Sequence, residues 1–206
     1  MKEIIIKEHT FLDKDFLSNP PNIVDLGSCR GEFILGFLDH FRNIKKAILV
    51  EANPTNFNYI PDFLKNEFVV LNSFISSESL GYSNFIEDPN SPYNGTNFFD
   101  YFSEGISHDI KKITLNDIRN EYGLEKIDIL KIDIEGSEYE ILESMDYKDF
   151  DGIDQITIEF HDFLDSSLSA RTKEIVEKIQ KIGYKTINKG TSYKCGSHYY
   201  DTLFYK

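Results

Sequence analysis

Two short stretches of the sequence place acids and a histidine where chemistry is done. The first is Lys131-Ile-Asp133-Ile-Glu135-Gly136-Ser137-Glu138, at the end of the apolar run 127–132; the second is Ile158-Glu159-Phe160-His161-Asp162. An acid that ends an apolar strand must find a partner, because an isolated charge is costly to bury. Asp133 and Glu135 therefore stand where a catalytic or cofactor-holding acid belongs. Alternation along a strand puts Glu159 and His161 on one face, so both approach Asp133 if the two runs are neighbouring strands. Two chemistries fit. In one, His161 is the general base that deprotonates an acceptor hydroxyl, its ordinary pKa suiting work near neutrality. In the other, Asp133 or Glu135 joins Glu159 and His161 around a divalent cation that lowers the acceptor's pKa. No metal is assigned on this pattern alone; were one held, its ligands would be Asp133, Glu159 and His161. The plain structural alternative makes His161 a satisfied core histidine and pairs Glu159 with Lys131 or another lysine. Glu138 and Glu140 read as acids on the solvated or N-terminal face of the next helix, where the dipole favours them. His9, His40, His108 and His198 lack such context and receive no role.

A second group of residues points to a nucleoside. Ile23-Val-Asp25-Leu-Gly27-Ser28-Cys29-Arg-Gly31 reads as a strand, a glycine turn and a helix start, a place where exposed backbone N–H groups can cradle a small ligand. Glu51 ends the following apolar run, about 20 residues on, as a βαβ unit requires of an acid that accepts hydrogen bonds from two ribose hydroxyls. A dinucleotide site wants G-x-G-x-x-G, whose middle glycine lets the backbone approach a pyrophosphate; here Cys29 stands at that position. S-adenosylmethionine carries no phosphate and makes no such demand. The turn and Glu51 together indicate a nucleoside-containing cofactor, and the missing middle glycine favours S-adenosylmethionine over a dinucleotide.

The elements needed to hold these residues are legible as an alternation of short β-branched runs and longer segments of helical period, which predicts an α/β doubly wound domain. Strands are expected at residues 23–26, 47–50, 68–71, 127–132 and 155–160, with 127–132 central because it is the most apolar. Helices are expected over 32–40, from Pro54 at a first turn, over 114–122 with Thr114 and Asp117 as a capping pair, over 137–145, and over 169–182 with Gly183 as its cap. Residues 184–187 and 198–205 read as a terminal antiparallel pair. Residues 76–109 break the rhythm with Pro89, Pro92, Gly95 and Gly105 while carrying seven aromatic residues, an aromatic loop that either packs on the sheet or serves as a lid or substrate wall. The chain is expected to be one domain over 1–206, with 1–21 as an N-terminal extension and 76–110 as the loop or lid insertion.

Composition narrows the partners. A net charge of −13 with only short lysine pairs argues against a nucleic-acid backbone as partner. No apolar run approaches the roughly 20 residues of a membrane helix, and the acidic N-terminus lacks the pattern of a secretory signal, so a cytoplasmic location is expected. Cys29 and Cys195 read as free thiols, without the neighbours of a metal site or a nucleophile.

Three blocks together resemble the FkbM-like methyltransferases, a class I S-adenosylmethionine-dependent family: Val24-Asp-Leu-Gly-Ser-Cys-Arg-Gly31, Val50-Glu-Ala-Asn-Pro54, and Thr114-Leu-Asn-Asp with Ile127-Asp-Ile-Leu-Lys-Ile-Asp-Ile-Glu-Gly-Ser-Glu138. The likeness covers about residues 22–162, and the K-I-D-I-E-G-S-E run is its most specific part. The resemblance implies a Rossmann-like, mostly parallel seven-stranded sheet with an antiparallel last strand in a three-layer α/β/α arrangement. It also implies methyl transfer, usually to a hydroxyl oxygen of a sugar, glycan or other small acceptor. Asp25, Gly27, Ser28 and Gly31 would surround the methionine end, Glu51 with Ala52 and Asn53 the ribose, and Asn72, Ser73 and Phe74 the adenine. Asp133 would face the methionine or acceptor side, with Glu135 and His161 as its catalytic companions. The turn departs from the family's usual D-x-G-A-N-x-G in having Ser28 and Cys29 for Ala-Asn. The competing readings are an NAD-dependent oxidoreductase, disfavoured by Cys29, and a cofactor-fold binding protein without turnover; acceptor identity and oligomeric state stay open.

Overall fold

In chain order the elements are β1 (Lys2–Ile6), β2 (His9–Asp13), β3 (Asn22–Leu26), α1 (Glu32–Phe41), β4 (Lys46–Glu51), α2 (Pro54–Tyr59), α3 (Asp62–Glu67), β5 (Val69–Asn72), β6 (Phe74–Ile75), β7 (Tyr82–Glu87), β8 (Gly95–Thr96) and β9 (Ile106–Ile113). They continue with α4 (Leu115–Glu121), β10 (Ile129–Ile132), α5 (Glu138–Ser144), β11 (Gln155–Glu159), α6 (Ser169–Lys181), β12 (Lys185–Asn188) and β13 (Asp201–Tyr205). The structure is a computed structural model that describes residues 1–88, 95–96, 105–188 and 199–206.

Seven strands form the main sheet in the order β12-β13-β11-β10-β3-β4-β5, with β10 at its centre as its apolar sequence predicts. The pairs from β11 to β5 are parallel, whereas β13 runs antiparallel between β11 and β12. This is the Rossmann-like, mostly parallel sheet with an antiparallel last strand that the sequence led us to expect. Successive residues of one strand feed opposite layers: in β4, Ala47 and Leu49 face the α1 side, while Ile48 and Val50 face the α4–α6 side. A strand buried on both faces gains nothing from polar alternation, which is why these runs read as continuously apolar. Among the described residues, no helix is long and apolar enough to cross a membrane.

Helix ends follow local chemistry. Asn53 caps α2 by accepting from the N–H groups of Thr55 and Asn56, with Pro54 in the first turn. Thr114 and Asp117 form the expected capping box on α4, Thr114 Oγ1 accepting from Asp117 N–H at 3.0 Å and Asp117 Oδ2 accepting from Thr114 N–H at 2.9 Å. Thr114→Ala should lower unfolding free energy by about 1 kcal/mol, readable as a shift of the urea midpoint without change of slope. An unchanged midpoint would mean that the cap contributes nothing.

Two regions differ from expectation. The segment read as a loop over 76–109 contains, among its described residues, β7, β8 and the first half of β9, which join β6 in a small sheet of order β6-β9-β7-β8. Tyr93, Phe98, Phe99, Tyr101 and Phe102 lie outside the described residues, as do Cys195 and His198. The segment 1–21 is a hairpin of β1 and β2 rather than a mere extension. Ile4, Ile6, Phe11 and Phe16 pack with Phe33, Phe37 and Phe41 of α1, the rings of Phe37 and Phe41 standing 4.6 Å apart. Gln155 of β11 holds the hairpin by accepting from Leu12 N–H at 2.7 Å and donating to Leu12 O at 3.0 Å. That tether fixes His9, at the start of β2, over the carboxyl ends of the sheet strands.

Candidate active site

At the carboxyl edge of the sheet a cleft opens beside β3, β4 and β10. Gly27 and Glu51 line it, together with Ala52, Asn53, Ser73, Phe74, Asp133 and Glu135. A second, adjoining cleft shares Gly27, Cys29 and Asp133 with it and adds Ser28, Lys131 and Glu159, besides Glu8 and His9 of the hairpin.

The turn after β3 is shaped by contact with β10. Gly27 has φ +76°, and a Cβ placed on it would lie 1.6 Å from the carbonyl oxygen of Asp133. Only glycine permits this crossing. Gly31, at φ +81°, precedes α1 and packs against Leu64, outside both clefts. Cys29 adopts φ +51°, and its backbone N–H donates to Glu51 at 2.7 Å. Burial, then the nearby Glu32 and Glu51, push its thiol up to about 12, so it stays a protonated wall rather than a nucleophile.

Glu51 is only 7% exposed. Its second oxygen accepts from Asn53 N–H at 2.8 Å. Burial pushes its carboxyl up to about 8 despite these two donors. Asn72, expected near an adenine, instead donates to the carbonyls of Glu51 and Ala52 at 2.8 and 3.1 Å and does not line the cleft, whereas Ser73 and Phe74 do. Asp25 also sits deeper than expected. It is wholly buried, outside both clefts, and its Oδ1 lies 3.2 Å from Lys131 Nζ. The strand alternation that brings Asp25 beside Lys131 in the paired β3 and β10 turns both side chains toward the same layer.

Asp133 is the hub. Its Oδ2 lies 3.4 Å from His9 Nε2 and 3.5 Å from Lys131 Nζ, and its Oδ1 lies 3.8 Å from His161 Nε2. Burial alone would raise its pKa, but Lys131, His9 and His161 hold it well below the usual carboxylate range. His161 is 2% exposed. Its Nδ1 lies 3.0 Å from Glu138 Oε1, which also accepts from His161 N–H at 3.0 Å, and its Nε2 lies 3.5 Å from Glu135 Oε2. Burial opposes its charge, yet Glu138, Glu135 and Asp133 outweigh burial and push the imidazole up to about 10. The near-neutral base expected of His161 is therefore a cation here, because three acids surround it. Glu138 is fully buried rather than solvated, accepting also from Gly136 N–H at 2.8 Å. Glu159 is pushed up to about 8, by burial and then by Asp133, and it does not pair with Lys131, whose ion pairs among the described residues are with Asp25 and Asp133.

The structure thus brings Gly27, Glu51, Ala52, Asn53, Ser73, Phe74, Asp133 and Glu135 to one cleft, with His161 directly behind its acidic end. Sequence reasoning missed His9 and Glu138. His9 carries no periodic or spacing signal, since its contact with Asp133 depends on how a hairpin docks. Glu138 lies within the K-I-D-I-E-G-S-E run and could have been found by asking which acid would fix His161.

Comparison with known proteins completes the description. Residues 25–186 match the family model described as the methyltransferase FkbM domain. Among solved structures, methyltransferase FkbM from Methylobacillus flagellatus KT is 15% identical over 91% of this chain and 44% of that one, with a TM-score of 0.54. The human methyltransferase 10 domain containing protein is 13% identical over 95% of this chain and 75% of that one, with a TM-score of 0.50. These likenesses are of fold. The AMB antimetabolite synthetase AmbE of Pseudomonas aeruginosa is 29% identical over 79 residues, 38% of this chain and 4% of that protein. The chain spans less than half the length of the first of these structures and a small part of the synthetase. His9 lies outside the family-matched segment.

Proposed function

Because the chain belongs to the FkbM methyltransferase domain family, we propose that it is a single-domain, S-adenosylmethionine-dependent methyltransferase acting on a hydroxyl of a sugar, glycan or other small acceptor. The observation that carries this reading is the single cleft lined by Gly27, Glu51 and an ionised Asp133. The residues fit the cofactor: a carboxyl group as buried as Glu51, with two N–H donors on its protein side, has capacity left for the two hydroxyls of a ribose. Phe74 and Phe85 offer apolar surface for a base, and Asp133 offers negative charge to a cationic centre. Bound S-adenosylmethionine supplies a methyl on a sulfonium, whose transfer forms the O–C bond as the C–S bond breaks and leaves a neutral thioether.

The chain's own part is alignment and removal of one proton. Asp133, kept ionised by Lys131, His9 and His161, holds the positive end of the cofactor in line. Glu135 lines the cleft with its side chain 40% exposed, and burial raises its pKa, so it is the better base of the two and takes the hydroxyl proton. His161 positions both acids from behind.

Calorimetric titration with S-adenosylhomocysteine and with NAD tests this. Binding of the former alone is expected, and Glu51→Gln should weaken it by up to about tenfold, the worth of one hydrogen bond to a largely neutral carboxyl. Binding of NAD alone would replace this reading with an oxidoreductase. Binding of S-adenosylhomocysteine without turnover on any hydroxylated acceptor would leave a binding protein.

A further inference from the structure

The acidic end of the cleft holds more ligating atoms than alignment and one proton require. Asp133 Oδ1, Glu135 Oε2 and His161 Nε2 lie within 4.8 Å of one another, the imidazole nitrogen being 3.8 and 3.5 Å from the two oxygens. Ligands at about 2.0 to 2.2 Å from one small divalent ion stand roughly 3 to 3.5 Å apart, so these three atoms need only close slightly around it. The other Asp133 oxygen is already taken by His9 and Lys131, which leaves Oδ1 to face His161.

His161 is built for this task. An ionised Glu138 can only accept, so Nδ1 donates to it, and the same oxygen takes the backbone N–H of His161. Glu138 is anchored in turn by Gly136 N–H. The ring is thereby fixed in orientation and tautomer, as metal-ligating histidines are by a carboxylate behind them. Although His161 is 2% exposed, among the described residues its Nε2 makes no hydrogen bond and points at the two carboxylates. Around it stand Asp133, Glu135, Glu138 and Glu159, against Lys131 as the fixed cation.

We infer that Asp133, Glu135 and His161 form a binding site for one divalent first-row metal ion, with Glu138 as its supporting carboxylate. One imidazole with two carboxylates suits manganese, iron or zinc better than magnesium or calcium. An ion there takes the place that the Nε2 proton holds in the ion-free protein. Its role rests on the methyltransferase reading: lying at the cleft wall, it lowers the pKa of the acceptor hydroxyl, and the second oxygen of Glu135 receives the proton.

Mn²⁺ titrated into the full chain, followed by calorimetry and by the electron paramagnetic resonance of free Mn²⁺, tests the site without any cofactor. One equivalent should bind. Glu135→Gln, at a half-exposed position that folding tolerates, should weaken it at least tenfold, and Glu138→Gln by about 10- to 100-fold. Absence of saturable binding in wild type that still binds S-adenosylhomocysteine would overturn the site and leave the methyltransferase reading standing. So would binding that ignores Glu135→Gln but is lost in Glu159→Gln, since the ion would then sit among His9, Asp133 and Glu159. Mn²⁺ binding in a protein that fails to bind S-adenosylhomocysteine supports the site and counts against only its role.

Discussion

Lys131→Met is expected to cost about 3–5 kcal/mol of unfolding free energy, the range found when one partner of a buried ion pair is removed. Lys131 is 3% exposed and Asp25 is fully buried. Nζ lies 3.2 Å from Asp25 and 3.5 Å from Asp133, and it donates to the carbonyl oxygens of Leu26 and Gly27. Methionine fills the same volume but leaves Asp25 as a charge without its cation, so packing is conserved and electrostatics alone is tested. The double variant Lys131→Met, Asp25→Asn removes that charge and should recover much of the loss. A double no more stable than the single would show that packing, not charge, carries the effect.

The same variant should respond to pH with a definite sign. Burial raises the Asp25 pKa above its ordinary value even with Lys131 opposing, and loss of Lys131 raises it further. A carboxyl whose folded pKa is raised imposes no penalty below its unfolded pKa, and the penalty grows as pH climbs toward the folded value. Lys131→Met should therefore lose stability relative to wild type as pH rises past the already raised folded pKa of wild-type Asp25, the two proteins responding alike to Asp25 below it. Urea unfolding at several pH values reads this directly, and a pH-independent difference would contradict it.

Gly27→Ala should weaken binding of S-adenosylhomocysteine and reduce turnover by about 100-fold, the scale of a displacement of about 1 Å at a reacting site, with a further 1–3 kcal/mol of backbone strain. The added Cβ would meet the Asp133 carbonyl carbon at 2.7 Å as well as its oxygen at 1.6 Å, and both are backbone atoms that no rotamer change can move. Gly27 N–H also donates to Val50 O at 2.9 Å and Asp133 N–H to Leu26 O at 3.1 Å, so relief must separate β3 from β10 or from β4. Any of these moves displaces Asp133 or Glu51. Gly183→Ala is the control, because Gly183 has φ +105° but nothing within 4 Å of an added Cβ. It should show strain without loss of binding. Equal binding losses in the two variants would mean that flexibility matters at Gly27, not contact.

Four of the five parallel strands, β3, β4, β10 and β11, were legible because each is buried on both faces, while half-buried β5 was legible from its Val69-Val70-Leu71 run. Thr114 with Asp117, and Asn53 with Pro54, were legible for a different reason: capping depends on residues within four positions of one another. The β7–β9 pairing was not, since its strands carry exposed residues such as Tyr82 and Ile106 and are joined by a segment rich in proline and glycine. Such sequence reads as a loop until a partner strand is known.

At the site, the sequence by itself determined which chemistry was available: a turn that excludes a pyrophosphate, an acid ending β4, and acids with a histidine ending β10 and β11. Tertiary structure decided what each group does. Asp25 is removed from the cleft and made the partner of Lys131; His161 is turned from a neutral base into a cation by Glu138, Glu135 and Asp133; His9 is brought from the hairpin onto Asp133. The reason is physical. Residue type and spacing fix what a side chain can donate, accept or carry, but charge state and access depend on burial and on partners within a few ångströms, and here those partners are supplied by elements far apart in the chain.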